Sequence, residues 1–257
     1  MRLLIVLVGL GALALSGVFA ATPQLPCSDV RGCPDLVMDS QANNGWEAHV
    51  SVEDWAADAC AVQEGLVAPG TRTLLRFHTS LSNFGAGALN TGAPEGSEYY
   101  TFAPCHDHYH FADMVAFRLW TKPQFNKWER LRSANPDTAS ATLLAAHPEL
   151  TPRASQKQGF CLEETYYYPG YDYNYVDPVY GPYFYHICQS LGGVPATPGI
   201  NPLAGDGYYY GLDGQWVDVT GLKAGRYILE QEVNPARIIE ESNYLNNSTG
   251  ETVVIPR

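Results

Sequence analysis

Three histidines at every second position constrain this chain more than any other feature of its sequence. They are His106, His108 and His110, which are three of the seven histidines of the chain. In an extended strand alternate side chains project from the same face, so a single segment presents all three imidazoles together. Imidazole is the commonest metal-binding side chain, and it suits copper, zinc, iron or nickel. The alternative is a polar strand with solvent-facing histidines, but so dense a cluster favours a metal site.

The composition predicts one exported domain. The chain has 257 residues, of which 46% are hydrophobic and 16% charged, so it can build a substantial core. Residues 3–19 form an apolar run that ends in a small-residue cleavage site, which predicts a signal peptide at residues 1–20 and a mature domain at residues 21–257. The run is short for a membrane span, so we expect no span after cleavage and a secreted or extracytoplasmic location.

Charge and cysteine content narrow the partners and the compartment. The formal net charge is -12 and the sequence pI is near 4.9, which argues against nucleic acid and favours cationic substrates. Six cysteines in an exported chain indicate disulfides, although six cysteines allow 15 pairings. Cys27 and Cys33 are close enough in sequence to close a small loop.

The pattern of apolar residues predicts a mostly β chain. We expect a single β-sandwich-like domain with long loops and one or two short helices. One helix is expected from Asn135 as its cap and Pro136 as its first residue, through residues 140–146, to Pro148. Strand character is clearest in four segments, at residues 71–81, 114–120, 215–219 and 226–233. The tyrosine-rich loop at residues 166–185 is interpreted either as an aromatic wall around a cleft or as a packed surface loop.

Seven short motifs, in this order, resemble those of the lysyl oxidases, a family of copper-dependent amine oxidases with a quinone made from their own side chains. The likeness covers nearly the whole mature chain. The motifs are PDLV at residues 34–37, LLRF at 74–77, CHDHYH at 105–110, FCLEET at 160–165, QWVDVT at 215–220, VNP at 233–235 and ESNYLNN at 241–247.

The resemblance implies a copper site and a crosslinked cofactor. Copper would be held by His106, His108 and His110. The lysine of the cofactor, lysine tyrosylquinone, lies in this family just before the Phe-Cys-Leu-Glu motif, where Lys157 stands here. Its tyrosine follows an Asp-x-Tyr pattern that Tyr208 fits without a gap. Tyr210 copies a Tyr-Gly pair of the family but needs a two-residue deletion, so Tyr208 is favoured and Tyr210 is the alternative.

The resemblance also implies an activity. The family oxidatively deaminates primary amines to aldehydes, with O2 as oxidant and with release of ammonia and hydrogen peroxide. The substrate expected here is a primary amine, either a lysine in a protein or a small amine. Asp206 is a candidate base through its nearness to Tyr208, and a purely structural role is the alternative. The rival functions are a copper-binding structural or interaction protein that never forms the quinone, and a zinc hydrolase that uses the three histidines.

Two further expectations come from the family, and both involve departures from it. Oxygen ligands for calcium would come from two segments near opposite ends of the mature chain: Asp35, Leu36 through its carbonyl, Glu241, Asn243, Asn246 and Asn247. The family commonly has aspartate where this chain has Asn243. The loss of that negative charge should weaken calcium binding. Animal relatives carry local disulfide partners near the positions of Cys60 and Cys161, and these partners are absent here. From the resemblance we therefore expect the disulfides Cys105–Cys188 and Cys60–Cys161. The segment before Lys157 is also longer, by about one helix.

Overall fold

β-Strands make up most of the regular structure in the computed structural model, which confirms the mostly β prediction. The structure describes residues 24–27, 29, 31–40, 46–173, 176–177, 181–182 and 197–257. The expected signal peptide and Cys188 lie outside these residues. Among the residues described, no helix is both long and apolar enough to cross a membrane.

The strands are short, apart from a few long ones that build the core. In chain order they are β1 Leu36–Met38, β2 Ala48–Trp55, β3 Gly70–Phe77, β4 Thr79–Asn83, β5 Leu89–Asn90, β6 Tyr100–Ala103, β7 His108–Trp120, β8 Ala154–Phe160, β9 Tyr166–Tyr167, β10 Val176–Asp177, β11 Gly181–Pro182, β12 Gly199–Ile200, β13 Ala204–Tyr208, β14 Trp216–Asp218, β15 Gly225–Val233 and β16 Ser248–Ile255. The helices are α1 Cys60–Gln63, α2 Lys122–Ala134 and α3 Ser140–Ala146, and a 3₁₀ turn follows at Pro148–Leu150.

Antiparallel pairing organises these strands into sheets around β7. The largest sheet has the order β16-β15-β7-β6, with β8 along the other edge of β7. A three-stranded sheet, β14-β3-β2, and a four-stranded sheet, β1-β4-β13-β9, account for most of the other strands. Because β13 pairs with β4 and β8 pairs with β7, the segments that carry the candidate tyrosine and lysine belong to different sheets.

The second half of β7 is buried on both faces. Phe117 packs edge-on against Phe77 of β3, with ring centroids 4.7 Å apart. Trp120, on the opposite face, stacks on Trp128 of α2 at 6.0 Å. Every residue from position 114 to 120 is buried, because one face meets a sheet and the other meets the helices. This packing explains a run that is apolar at every position except Arg118, where a one-sided strand would alternate.

The helical segment differs from its prediction. Asn135 is the C-cap of α2 rather than the start of a helix, and α3 begins only at Ser140, so the predicted N-terminus was wrong. The sequence analysis missed α2, although Thr121 and Gln124 form a capping box at its start. The α2 helix therefore ends where the prediction placed a beginning, because Asn135 turns the chain out of one helix before the next.

Two disulfides join cysteines within the described part of the chain. Cys27 pairs with Cys33, as predicted. Cys60 pairs with Cys105, so the expected pairings Cys105–Cys188 and Cys60–Cys161 were wrong. The physical reason is that α1 begins beside the turn before β7, where the Cα atoms of Cys60 and Cys105 are 5.5 Å apart, a normal disulfide separation.

Candidate metal centre and adjoining cavity

A turn and the first residues of β7 bring the three histidines together. His108 and His110 lie on the strand, but His106 lies in the turn before it, so the prediction of a single extended segment was wrong for His106. The amides of His106 and Asp107 donate to the Ala103 carbonyl, and Asp107 has a positive φ of 56°. This turn folds the His106 ring back to 5.7 Å from that of His108 and 5.8 Å from that of His110.

The ring nitrogens of two histidines converge. His108 Nδ1 lies 2.9 Å from the His106 carbonyl, which can only accept, so Nδ1 carries the proton and Nε2 carries the lone pair. That Nε2 lies 2.9 Å from the Nε2 of His110. Two imidazole nitrogens at this separation share either a proton or a metal ion, whose bonds to them would be about 2.0–2.1 Å long.

Burial favours the neutral, ligating form of His110. Its pKa is lowered to about 4, first by burial and then by the neighbouring His108 and His106. A neutral imidazole offers its lone pair to a metal. A set of three imidazole donors fits copper, and it also fits zinc.

A cavity of about 160 Å³ adjoins the histidines. Besides the histidines, its walls include Phe160, Tyr208, Asp213 and Gln215. The Tyr208 ring lies nearly parallel to that of Phe160, with centroids 4.2 Å apart. The cavity therefore brings together the predicted metal ligands, on the β7 side, and one of the two candidate tyrosines, from the end of β13.

The Tyr208 hydroxyl is held by two acceptors. It donates to Asp206 Oδ2 at 2.6 Å and also contacts the Cys161 carbonyl. Asp206 is 1% exposed, and burial raises the pKa of its carboxyl to about 8. Burial, followed by the charge of Asp206, raises the pKa of Tyr208 well above its usual value. The pair therefore prefers to keep its protons at neutral pH, and both groups are fixed by the contact.

The alternative tyrosine lies elsewhere. The Tyr210 ring packs edge-on against His49 at 4.4 Å and lies 5.1 Å from His78. Its neighbour Tyr209 is 52% exposed and also lies against His78. Neither belongs to the walls of the histidine cavity.

The backbone of Lys157 lies in β8, opposite Ala116 of β7. Two residues further along β8, Gly159 lines the cavity. A Cβ atom at Gly159 would meet the Phe111 carbonyl at 2.9 Å and His110 Cβ at 3.1 Å, so β8 approaches the histidine strand closely there. The side chain of Lys157 lies outside the described part of the structure.

Several polar atoms near the histidines are buried without a hydrogen bond. Both amide atoms of Gln215, the Oε1 of Glu64 and the Nδ1 of His106 are in this state. Glu64 Oε2 lies 3.1 Å from His106 Nδ1, and Asp213 Oδ2 lies 3.7 Å from His106 Nε2. Sequence reasoning did not single out Glu64 or Asp213, since neither lies in a spacing that marks a ligand. Gln215 is the first residue of the QWVDVT motif, but the motif did not indicate that this side chain lines the cavity.

The predicted calcium segments do meet. Leu36 N donates to Glu241 Oε2 at 2.7 Å, and Asn246 Nδ2 donates to Asp35 Oδ1 at 2.9 Å. Asn247 Nδ2 donates to the other oxygen of Glu241 at 2.8 Å. The Oδ1 atoms of Asn246 and Asn247 are buried without a partner, so the cluster offers spare oxygen donors.

Asn243, another residue of the predicted calcium set, uses its side-chain oxygen in a local hydrogen bond. Its side chain accepts from Leu245 N at 3.0 Å, which closes a local turn. Burial raises the pKa of Glu241, the most enclosed carboxyl of the set, to about 7. The carboxyl is thus costly to ionise unless a cation lies beside it.

The described part of the tyrosine-rich loop packs on the protein surface and on itself. Tyr166 and Tyr168 both hydrogen-bond to Ser82 of β4, at 2.9 and 2.8 Å. Tyr167, Tyr171 and Tyr173 contact one another through their rings. These rings are not among the walls of the histidine cavity. Much of the remainder of the loop, up to residue 185, lies outside the described residues.

Comparisons with known proteins agree with the motifs. Residues 149–254 match the family model described as lysyl oxidase. The chain is 29% identical over 226 residues to the protein-lysine 6-oxidase of Gallus gallus and 28% identical over 226 residues to that of Homo sapiens, in each case with 84% of this chain covered. It is 28% identical over 231 residues to human lysyl oxidase homolog 1, with 86% covered. The chain spans 44% of the length of the first two relatives and 33% of the third.

Proposed function

These matches support the lysyl oxidase family for this chain, and from that premise we propose that it is an exported copper-dependent amine oxidase. Its reaction is the oxidative deamination of primary amines to aldehydes, with O2 consumed and ammonia and hydrogen peroxide released. The substrate class is lysine in proteins or a small primary amine, since the relatives are named for protein-lysine oxidation. The catalytic domain spans residues 21–257, after a signal peptide at residues 1–20.

One observation carries the proposal: the three histidines and Tyr208 line the same cavity. A tyrosine ring that is to be oxidised beside a metal must lie next to the metal ligands, and Tyr208 lies there while Tyr210 does not. In the proposal, His106, His108 and His110 hold copper. Lys157 and Tyr208 form lysine tyrosylquinone, which supplies the carbonyl that accepts the amine and the electron sink for its oxidation.

The chain's own residues orient and protect this chemistry. Phe160 stacks on the Tyr208 ring and fixes its plane, and Asp206 holds the hydroxyl. With its pKa near 8, the Asp206 carboxyl is poised to exchange a proton around neutral pH, which suits a general acid or base. Asp206 also accepts from Glu163 N at 3.1 Å, so its orientation is set before any substrate enters.

The test is an amine-oxidation assay of copper-loaded protein with hydrogen peroxide as readout. The wild type should oxidise a primary amine and should bind about one copper ion per chain. His108→Ala should lose copper binding, quinone absorbance and activity, because it removes one of the two converging Nε2 atoms. His147→Ala is the matched control, since His147 caps the far helix α3 and lies away from the cavity.

The rival is a copper-binding protein of the same fold that forms no quinone. Copper bound at full stoichiometry, without quinone absorbance or peroxide in any amine assay, would favour that rival. Full copper content and full oxidase activity in His108→Ala would instead overturn the site assignment.

We also propose calcium as a structural ion at Asp35, Leu36, Glu241, Asn246 and Asn247. The unpartnered Oδ1 atoms of Asn246 and Asn247 support it, because buried oxygens without donors are uncommon unless a ligand meets them. Asn243 belonged to the predicted set, and it joins this proposal only if its side chain leaves the local turn.

A further inference from the structure

We propose that Glu64 is a positioning residue for the copper ligand His106, held in place by the disulfide between Cys60 and Cys105. The inference rests on the proposed copper site and adds a residue that no motif marks. Glu64 would accept a hydrogen bond from the Nδ1–H group of His106 and leave the Nε2 atom of that ring for the metal.

Short tethers bring Glu64 to the histidine. Glu64 is the C-cap of α1, and its amide donates to the Cys60 carbonyl at 2.9 Å. Cys105 immediately precedes His106, so the disulfide joins one turn of helix to the first ligand. The carboxylate and the imidazole are thus fixed near each other by one covalent bridge and by a few residues of backbone on either side.

The contact is close but incomplete. Glu64 Oε2 lies 3.1 Å from His106 Nδ1, and the two side chains are only 14% and 27% exposed. Even so, Nδ1 has no hydrogen bond in the required direction, and Glu64 Oε1 has none either. The acceptor at this separation is Glu64 Oε2, and a buried donor such as His106 Nδ1 is costly when it is left unmatched. In the copper-bound protein we expect the His106 ring to align its Nδ1–H group with this oxygen.

The opposite nitrogen lies near a second carboxylate. His106 Nε2 lies toward Asp213 Oδ2, at 3.7 Å, and both residues line the cavity. A carboxylate on the far nitrogen of a ligating histidine fixes its tautomer and makes it a stronger donor. His106 also accepts from His108 Nδ1 through its carbonyl, so displacement of His106 would disturb a second ligand.

The experiment measures copper(II) affinity by chelator competition, together with the electron paramagnetic resonance spectrum. Glu64→Ala removes the acceptor, and it should weaken copper binding about 10- to 100-fold and shift the spectrum. Glu64→Gln keeps a neutral acceptor of the same shape, so it should lose less than Glu64→Ala, but it should not match the wild type, because hydrogen bonds to a charged acceptor are stronger. Gln63→Ala is the control, since Gln63 is the exposed neighbour on the same helix and should leave both readouts unchanged.

The disulfide gives a second, independent arm. Cys60→Ser with Cys105→Ser should weaken copper binding, and adding Glu64→Ala should then cost less than it does in the disulfide-bonded protein, because contacting groups are not additive. Wild-type affinity and an unchanged spectrum in both Glu64 variants would overturn this inference alone. Failure of the wild type to bind copper at all would overturn the proposed function as well.

Discussion

Two buried polar regions of this molecule differ in how fully their hydrogen bonds are met. One is the helix-docking network, which we define as Arg118, Glu230 and Glu232 of the sheet with Trp128 of α2 and Ser140 of α3. The other is the histidine cavity. Both lie along β7, the first near its end and the second near its start. The network is the more enclosed of the two, since Glu230 is 0% exposed whereas the side chain of His106 is 27% exposed.

The network is satisfied internally. The two oxygens of Glu230 accept from the indole N–H groups of Trp120 and Trp128, each at 2.8 Å. Glu232 accepts from Arg118 and from Ser140. None of these side-chain atoms is among the buried polar atoms without a hydrogen bond. A buried ion pair with all its partners present fastens the two helices to the sheet. Ser140 and Glu232 also line a separate cavity of about 470 Å³, but their side chains are already hydrogen-bonded to each other.

Around the histidine cavity, by comparison, several buried polar atoms lack hydrogen bonds. Glu64, His106 and Gln215 all keep buried polar atoms without a hydrogen bond. Each such atom costs about 1–3 kcal/mol, which a structural role does not require. Buried polar atoms without a hydrogen bond also occur at Trp55, Thr79 and Gln231, so it is their occurrence beside the histidine cavity that separates this region from the network.

The comparison is tested most strongly by Tyr208→Phe. The variant should lose quinone absorbance and amine oxidase activity completely while binding copper nearly as the wild type does, because its hydroxyl is not a predicted metal ligand. Lys157→Arg should behave in the same way, and peptide mapping of the wild type should find the two peptides joined. Tyr210→Phe is the matched control and should remain active. Loss of the crosslink in Tyr210→Phe, with Tyr208→Phe active, would move the quinone to Tyr210.

The network should respond in the opposite way. Glu230→Ala leaves two indole N–H groups without their buried acceptor and removes one of the two carboxylates beside Arg118, so we expect a loss of about 3–5 kcal/mol in the free energy of unfolding. Copper affinity should be unchanged under conditions where the variant is folded. The control Glu129→Ala removes a partly exposed ion pair with Arg132 and should cost about 1 kcal/mol or less. Denaturant unfolding measures the free energy of unfolding of both variants. A Glu230→Ala variant as stable as Glu129→Ala would contradict a stabilising role for the network.

Calcium tests whether unmet oxygens mark a ligand outside the cavity as well. A ligand that binds only the folded state raises stability by about 2.7 kcal/mol at one hundred times its dissociation constant. We expect the melting temperature to rise with calcium and to fall with chelator, and Asn247→Ala to reduce the rise. Asn243→Ala should change it little, because that side chain closes a local turn. An equal melting temperature with millimolar calcium and with chelator would leave Asn246 and Asn247 as unmet oxygens without a ligand.

How much the sequence revealed depended on whether a signal was local. The histidine spacing and the strand segments are local patterns, and the structure has strands in those regions. The capping box at Thr121 was also local, but it was overlooked. Glu64 could not be found, because its contact with His106 depends on a disulfide between residues 45 positions apart. Cys27–Cys33 was predicted from its short spacing, but the pairings Cys105–Cys188 and Cys60–Cys161 were wrong for the same reason as Glu64, since the long-range pairing follows the approach of α1 to β7 rather than any spacing.

The smallest expected effect is a pH dependence of stability that arises from Asp206, beside the histidine cavity. The pKa of Asp206 is raised to about 8 by burial, against about 3.9 in an unfolded chain. Between these values the folded protein keeps a proton that the unfolded chain has released, so stability falls as pH rises from about 4 and stops falling above about 8. The slope from one group is at most about 1.4 kcal/mol per pH unit. Copper-free wild type should therefore lose more stability between pH 6 and pH 7 than Asp206→Asn, because the amide keeps the shape of the side chain but not the titrating proton. The control Asp218→Asn, at a partly exposed position, should show the same slope as the wild type. Equal slopes in wild type and Asp206→Asn would mean that Asp206 holds no extra proton in the folded state, and would weaken the distinction between the two regions.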